Sequence, residues 1–370
     1  MPDRQAPVAV FASFSGPGGV ERMVVNLIRG FVDLGQPVDL ILMRASGPHL
    51  SRIPPQVNQI RLGTSHSLLA IPALARYLRH RRPVALLAAK DRAGRAAVLA
   101  CALARTETPL VVRLGTHLSA AMAGKTALER WLRFTPMRLL YPRIDRIVAV
   151  SRGVAEDIAC IARVEPVRIS VIRNPVITPE LDVQAAKPCV HPWFRPGEPP
   201  VILGAGRLQL QKDFATLIRA FARLPSRLGC RLVILGEGGG RPKLEALIAA
   251  LGVSDRVTLP GFQDNPYAYL ARARLFVLSS AWEGSPNVLT EAMALGIPVV
   301  STDCPSGPSE LLDGGTFGPL VPVGDAAALA AAMERTLERA PPPDVLRAAV
   351  AEYGQARSAK RYLEVLGVVH

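Results

Sequence analysis

Short continuous apolar runs alternate with stretches of helical spacing over most of the sequence. Runs at 8–11, 38–43, 84–89, 110–114 and 147–150 read as strands, and residues 20–34 carry the apolar spacing of a helix. Strands that are apolar at every position belong to parallel sheets covered by helices on both faces, because a wetted face would carry polar residues at alternate positions. Around 175–200 the periodicity stops. Pro175, Pro179, Pro188, Pro192, Pro196, Pro199 and Pro200 crowd that stretch, as in an interdomain linker. The alternation then restarts, with strands at 201–205, 232–235, 257–259, 275–278 and 298–301 and helices at 214–224 and 242–251.

This pattern predicts an α/β protein of two doubly wound, Rossmann-like domains facing across a cleft. The first spans 1–178, a linker 179–199, and the second 200–350; a C-terminal helix at 351–370 packs back towards the first domain. Ligands of such folds lie at the carboxyl ends of the strands. A length of 370 residues agrees with two domains, since it exceeds what one hydrophobic core usually supports. Apolar residues at 49% and charged residues at 20% fit a well-packed soluble protein. No apolar run approaches the ~18 residues of a membrane-spanning helix, and the start, Met1 to Gln5, leads into a short strand rather than a signal peptide. Cys101, Cys160, Cys189, Cys230 and Cys304 are scattered with no C-x-x-C spacing, which predicts free thiols in a reducing, cytoplasmic compartment and no zinc site.

The net charge of +14 is local: residues 61–146 alone hold 16 basic and 4 acidic side chains. Such a field attracts polyanions, either nucleic acid or anionic lipid headgroups, unless it is only an arginine-rich solvated face. Within it, residues 125–146 interleave Trp131, Phe134, Met137, Leu140 and Tyr141 with six cations. Pro136 predicts two short helical pieces rather than one, and the mixture of aromatics and cations suits a membrane interface.

Three strand-end loops carry the chemistry. Ser15-Gly16-Pro17-Gly18-Gly19 lets backbone approach a phosphate at a helix start. It lacks the G-x-G-x-x-G spacing, and Asp39 lies near the start of the second strand rather than its end, which argues against nicotinamide or flavin. The segment 204–214 supplies Arg207 and Lys212, two fixed cations suited to the charge that develops on a departing diphosphate. In Glu283-Gly284-Ser285-Pro286-Asn287-Val288-Leu289-Thr290-Glu291, Ser285 is expected as N-cap and Pro286 as the first helical residue. That arrangement would turn the N–H groups of Asn287, Val288 and Leu289 towards an anion. A carboxylate at each end with an anion site between them suits a sugar–diphosphate–ribose ligand.

With these motifs the chain resembles glycosyltransferase family 4, the retaining enzymes of the GT-B fold. The resemblance runs through GPGGVERM, SRGVAEDIA, VIRNPV, GAGRLQLQKDF, LGEGGG and EGSPNVLTE followed by AMALGIPVVSTD, and the E-x7-E pattern is its most specific part. It implies that Gly18 and Gly19 approach the donor diphosphate and that Arg207 and Lys212 neutralise it. It further implies that Glu283 contacts the transferred sugar, that Glu291 holds the ribose, and that Gly261 and Phe262 hold the base through backbone groups. His117, after the strand at 110–114, stands where several relatives have a histidine near donor sugar and acceptor; the alternative is a structural cap at the strand end. The implied donor is a nucleotide sugar, UDP-linked by family frequency, used without metal or other cofactor. The implied acceptor is a glycan or lipid-linked molecule of polysaccharide or glycolipid assembly. The basic region 61–146 then reads as an anionic-membrane contact on the cytoplasmic face, not a nucleic-acid site. Two alternatives stay open: an epimerase of the same fold acting on a nucleotide sugar, and a nucleic-acid-binding protein.

Overall fold

The computed structural model describes residues 6–16, 18–64 and 66–368; Met1 to Gln5 and Pro17 of the glycine turn lie outside the described residues. The chain divides into two compact units, Met1–Val176 with Tyr353–His370, and Ile177–Glu352.

The first unit runs β1 (Val8–Ser15), α1 (Gly19–Asp33), β2 (Val38–Ser46), β3 (Asn58–Arg61), α2 (Ile71–Arg81), β4 (Ala85–Ala88), α3 (Asp91–Ala104), β5 (Leu110–Leu114), α4 (Leu118–Ala121), α5 (Ala127–Leu140), β6 (Arg146–Ala149), α6 (Arg152–Ala162) and β7 (Ile169–Val171). Its described strands form one sheet in the order β3-β2-β1-β4-β5-β6-β7, with every neighbouring pair parallel. Successive residues feed opposite cores, as the pleat requires: Val8, Val10 and Ala12 enter one, Ala9 and Phe11 the other. The C-terminal helix, Gln355–Val365, belongs to this unit, where Ala359, Tyr362 and Leu363 join the core over α1. Arg113 of β5 is buried under the same face and donates from Nη2 to Asn174 Oδ1 at 2.8 Å. Burial pulls its pKa below the ordinary guanidinium value, and Tyr362 works against that shift.

Two expectations change here. Residues 127–140 form one helix with Pro136 inside it, not two pieces. The bond that Pro136 cannot donate would go to the carbonyl of Leu132, an exposed residue, so water replaces it at little cost. Of the interleaved set, Met137 and Tyr141 are core residues and Phe134 and Leu140 pack against that core; only Trp131 faces out. The strands β3 and β7 lack a clear sequence signal because both are short sheet edges. β3 reads NQIR, and only Ile60 is even partly covered.

The second unit comprises α7 (Glu180–Ala186), β8 (Val201–Ala205), α8 (Phe214–Phe221), β9 (Arg231–Leu235), α9 (Arg241–Ala250), β10 (Val257–Gly261), α10 (Pro266–Leu270), β11 (Leu275–Leu278), α11 (Asn287–Ala294), β12 (Val299–Thr302), α12 (Pro308–Leu311), β13 (Leu320–Val321), α13 (Ala326–Glu338) and α14 (Pro343–Ala349). Its sheet order is β10-β9-β8-β11-β12-β13. The stretch read as a linker is packed structure of this unit. Helix α7 lies on α10, and its Gln184 and Ala185 carbonyls accept from Asn265 and Arg272 at 2.8 and 3.1 Å. Phe194 meets Tyr269 edge-on at 5.3 Å, and Arg231 lies 4.9 Å from the Trp193 ring. Prolines hide this from a periodicity search, because they fix an irregular backbone that still buries its aromatics.

Candidate active site

In the second unit, strand order reverses between β8 and β11, so the loops leaving these two strands flank the place where doubly wound sheets take ligands. Three strand-end loops interlock there. Gly236 has φ +129°, and a Cβ on it would lie 2.0 Å from the Gly206 carbonyl oxygen, so only glycine lets the loop after β9 cross the loop after β8. Gly206 N–H donates to Leu235 O, Leu208 N–H to Glu237 O and Gly236 N–H to Gly261 O, all at 2.9 Å.

On this frame the loop after β8 folds back upon itself. Asp213 caps α8 through Thr216 N–H at 3.3 Å, and Lys212 is turned towards the loop after β11. There its Nζ meets Glu283 Oε1 at 2.5 Å, while Ser280 Oγ donates to the same oxygen at 2.7 Å. Glu283 is 6% exposed. Among the described residues its other oxygen, Oε2, takes no hydrogen-bond partner. One carboxylate oxygen is thus consumed by the protein and the other is presented. Gln211 Nε2 holds the Trp282 carbonyl at 3.0 Å, and Ser306 Oγ holds that of Gly284 at 3.2 Å, which braces Glu283 from both sides. Burial first, and the Glu283 carboxylate second, push the Cys304 thiol up to about 12, so it stays a neutral neighbour. Arg207 lies at the same strand end, exposed and in no ion pair among the described residues.

Glu291 is 2% exposed, which excludes a solvated helix position. The helix start differs from expectation by one residue: Pro286 is the N-cap and α11 begins at Asn287. The Pro286 carbonyl accepts the N–H of Leu289 at 3.0 Å, so Leu289 is withdrawn from the expected anion cradle. Ser285 does not cap; its Oγ is buried and makes no hydrogen bond among the described residues. Gly261 ends β10 with its carbonyl engaged by Gly236, and Phe262 beside it is 45% exposed. Ser280 was not legible as a functional residue, although a hydroxyl three positions before Glu283 was a usable signal. Among the described residues no group of three His, Cys, Asp or Glu is placed to hold a metal ion.

In the first unit, order reverses between β1 and β4. Gly18 is the N-cap of α1 with no side-chain cap, and Gly19 is its first residue. Glu21, 6% exposed, meets Lys90 Nζ through Oε1 at 2.9 Å. His117 caps α4 rather than the strand end: its Nδ1 accepts from Ala120 N–H at 3.3 Å. A neutral ring so held carries its proton on Nε2 and can only donate from that atom. Asp157 Oδ2 lies 3.6 Å from Nδ1 and accepts the N–H of Leu118 at 2.6 Å.

Residues 17–179 match the family model described as Glycosyltransferase Family 4, and residues 191–357 that of Glycosyl transferases group 1. The chain is 36% identical over 200 residues to the Campylobacter jejuni N-acetylgalactosamine-N,N'-diacetylbacillosaminyl-diphospho-undecaprenol 4-alpha-N-acetylgalactosaminyltransferase, covering 54% of this chain and 53% of that protein. It is 38% identical over 221 residues to the lipopolysaccharide core biosynthesis glycosyltransferase LpsE of Rhizobium meliloti, covering 59% and 61%. The matched part therefore spans little more than half the length of these curated relatives. The crystal structure of Anabaena HepE with UDP and glucose has the same fold, with a TM-score of 0.77 over 98% of this chain and 100% of that one, at 19% identity.

Proposed function

The chain belongs to glycosyltransferase family 4, and on that premise we propose that it is a retaining, metal-independent transferase. It moves a hexosyl or N-acetylhexosaminyl group from a UDP-sugar to a lipid-linked or glycan acceptor in polysaccharide or glycolipid assembly. One observation carries the donor half. Lys212 and Ser280 fix Oε1 of Glu283, and Oε2 is left to accept from a sugar hydroxyl. Lys212 has three N–H donors and exposed Arg207 has five, so both retain capacity for a diphosphate as its glycosidic bond breaks. The buried Glu291 accepts from the ribose hydroxyls, and Phe262 and Gly261 border the base. His117 donates from Nε2 to a sugar hydroxyl. The relatives' names support this class, since they describe transferases of lipid-diphosphate-linked and lipopolysaccharide glycans. They favour neither the epimerase nor the nucleic-acid alternative.

The acceptor half is supported by α5. Leu128, Trp131, Leu132 and Leu139 are 65, 57, 57 and 64% exposed and fall at i, i+3, i+4 and i+11, one stripe of the helix. That stripe lies opposite the buried Met137, so it does no packing within the unit. It sits in the region of 16 cations, and no described helix is long and apolar enough to cross a membrane. We assign this face to a cytoplasmic membrane leaflet bearing anionic lipid.

A panel of nucleotide sugars in a thermal-shift assay tests the donor half: UDP-sugars should raise Tm for the wild type and not for Glu283→Ala. If no nucleotide sugar binds the wild type, the reading is wrong. Product NMR showing inversion at the anomeric carbon would remove its retaining part. Equal sedimentation with anionic and neutral vesicles, by wild type and by Leu128→Ser/Trp131→Ser/Leu132→Ser alike, would remove the membrane part.

A further inference from the structure

Helix α4 is four residues long and cannot hold its own turn, since so short a helix is unstable without outside support. The N–H groups of Leu118, Ser119 and Ala120 have no partner within it. An ordinary serine, threonine or asparagine cap would satisfy one of them. The N-cap here is His117, which takes only the Ala120 N–H, through Nδ1 at 3.3 Å. The other two go to one carboxylate of a different helix: Asp157 Oδ2 accepts from Leu118 at 2.6 Å and from Ser119 at 3.2 Å.

Asp157 breaks the pattern of its own helix. α6 sends Val154, Ile158 and Ile161 into the core, and Asp157 stands on that side, 8% exposed. It forms no ion pair with lysine or arginine among the described residues, and its titratable neighbour is the His117 ring. A buried carboxylate without a cation is costly to keep, and capping so short a helix is a small gain in stability to set against it.

What the arrangement secures is the ring. Nδ1 stands between an N–H that needs a lone pair there and a carboxylate oxygen, 3.6 Å away, that would favour a proton there. The N–H is within bonding range, and the oxygen is already engaged by Leu118 and Ser119. The neutral ring therefore keeps its proton on Nε2 for as long as the first turn of α4 stays wound, and Asp157 is what keeps it wound.

We propose that Asp157 is the positioning residue for His117. By holding the first turn of α4 it fixes the ring in its Nε2–H tautomer, the form that can donate to a sugar hydroxyl. The proposal rests on the transferase reading for the role of His117.

Long-range proton–nitrogen NMR correlation on the full chain reads the tautomer, with the His117 signals identified by their loss in His117→Gln. The wild type and Asp157→Asn, whose amide oxygen still accepts N–H, should show the proton on Nε2. Asp157→Ala should show the two nitrogens averaged by tautomer exchange. In transfer assays Asp157→Ala should lower kcat about tenfold, and Asp157→Asn should keep it within about threefold. Asp157→Ala should add nothing in a His117→Ala background, because its effect passes through the ring. A wild-type proton on Nδ1, or an asparagine variant as impaired as the alanine one, would mean that the charge acts on the ring directly and overturns the proposal. An equal loss in both backgrounds also overturns it, since that marks a structural defect of the unit. The wild-type and asparagine results decide the matter even where Asp157→Ala does not fold. If the wild type transfers no sugar from any nucleotide sugar, the transferase reading falls and takes the proposal with it.

Discussion

Each sheet reverses its strand order once, and at both places a carboxylate and a lysine join the two flanking strand-end loops. In the second unit the lysine comes from the loop after the first of the two strands and the carboxylate, Glu283, from the other; in the first unit the sources are exchanged, with Glu21 opening α1 and Lys90 following β4. The difference lies in which partner is left facing out. Lys212 is 18% exposed and Glu283, doubly held through Oε1, still presents Oε2. Lys90 is far more open than the carboxylate that anchors it. The same pairing therefore leaves a carboxylate oxygen unspent in one unit and an open ammonium in the other. An ion pair at a ligand site is better read from its unspent atoms than from its existence, since the spent ones only hold the geometry.

The largest contrast should come from neutralising the two carboxylates. Glu283→Gln should lower kcat by roughly 10²–10³, as expected for a preorganised contact at the reacting sugar. Glu21→Gln should leave kcat within about tenfold and cost about 1–3 kcal/mol of folding stability. Equal losses of kcat would erase the distinction. The glycines sharpen it further. Gly236→Ala forces a Cβ onto the Gly206 carbonyl at positive φ and should cost about 3 kcal/mol in denaturant unfolding. Gly18→Ala meets only the end of the Glu21 side chain, so it should cost under about 1 kcal/mol.

Smaller effects follow. Ser280→Ala removes one of two donors to Glu283 Oε1 and should reduce kcat/KM about tenfold with Tm nearly unchanged. Cys304 should give the least. Its thiol is raised from the ordinary 9.0 to about 12 by burial and then by Glu283, so its contribution to stability is complete below pH 9. That contribution is lost as pH climbs towards 12, and a Cys304→Ala variant should show a shallower alkaline loss in pH-dependent unfolding. Native-state alkylation at pH 8 should modify exposed Cys160 and spare Cys304.

Much of the site was legible because its residues sit at positions that strand–turn–helix punctuation marks. Glu283, Lys212 and Gly18 each fall at a strand end followed by a helix start. Lys90 follows the apolar run 84–89 in the same way, but it was not singled out in the sequence, and its partner lies 69 positions earlier. The start of α11 was misplaced by one residue because Ser285 and Pro286 both suit a helix entry, and the choice between them is made by the backbone around Gly284 and Ser306.

The sequence by itself determined two parallel sheets, their buried strands and the loops that carry chemistry, because doubly buried strands and glycine-marked turns leave local signatures. It also determined the concentration of cations in the first unit. The tertiary structure decided what no local pattern encodes: the packing of residues 177–200 into the second unit, the outward apolar stripe of α5, and the edge strands whose few buried atoms leave no period to read. It alone decided which carboxylate oxygen and which ammonium remain unspent, since that depends on partners brought together across the sheet by chain segments far apart in sequence.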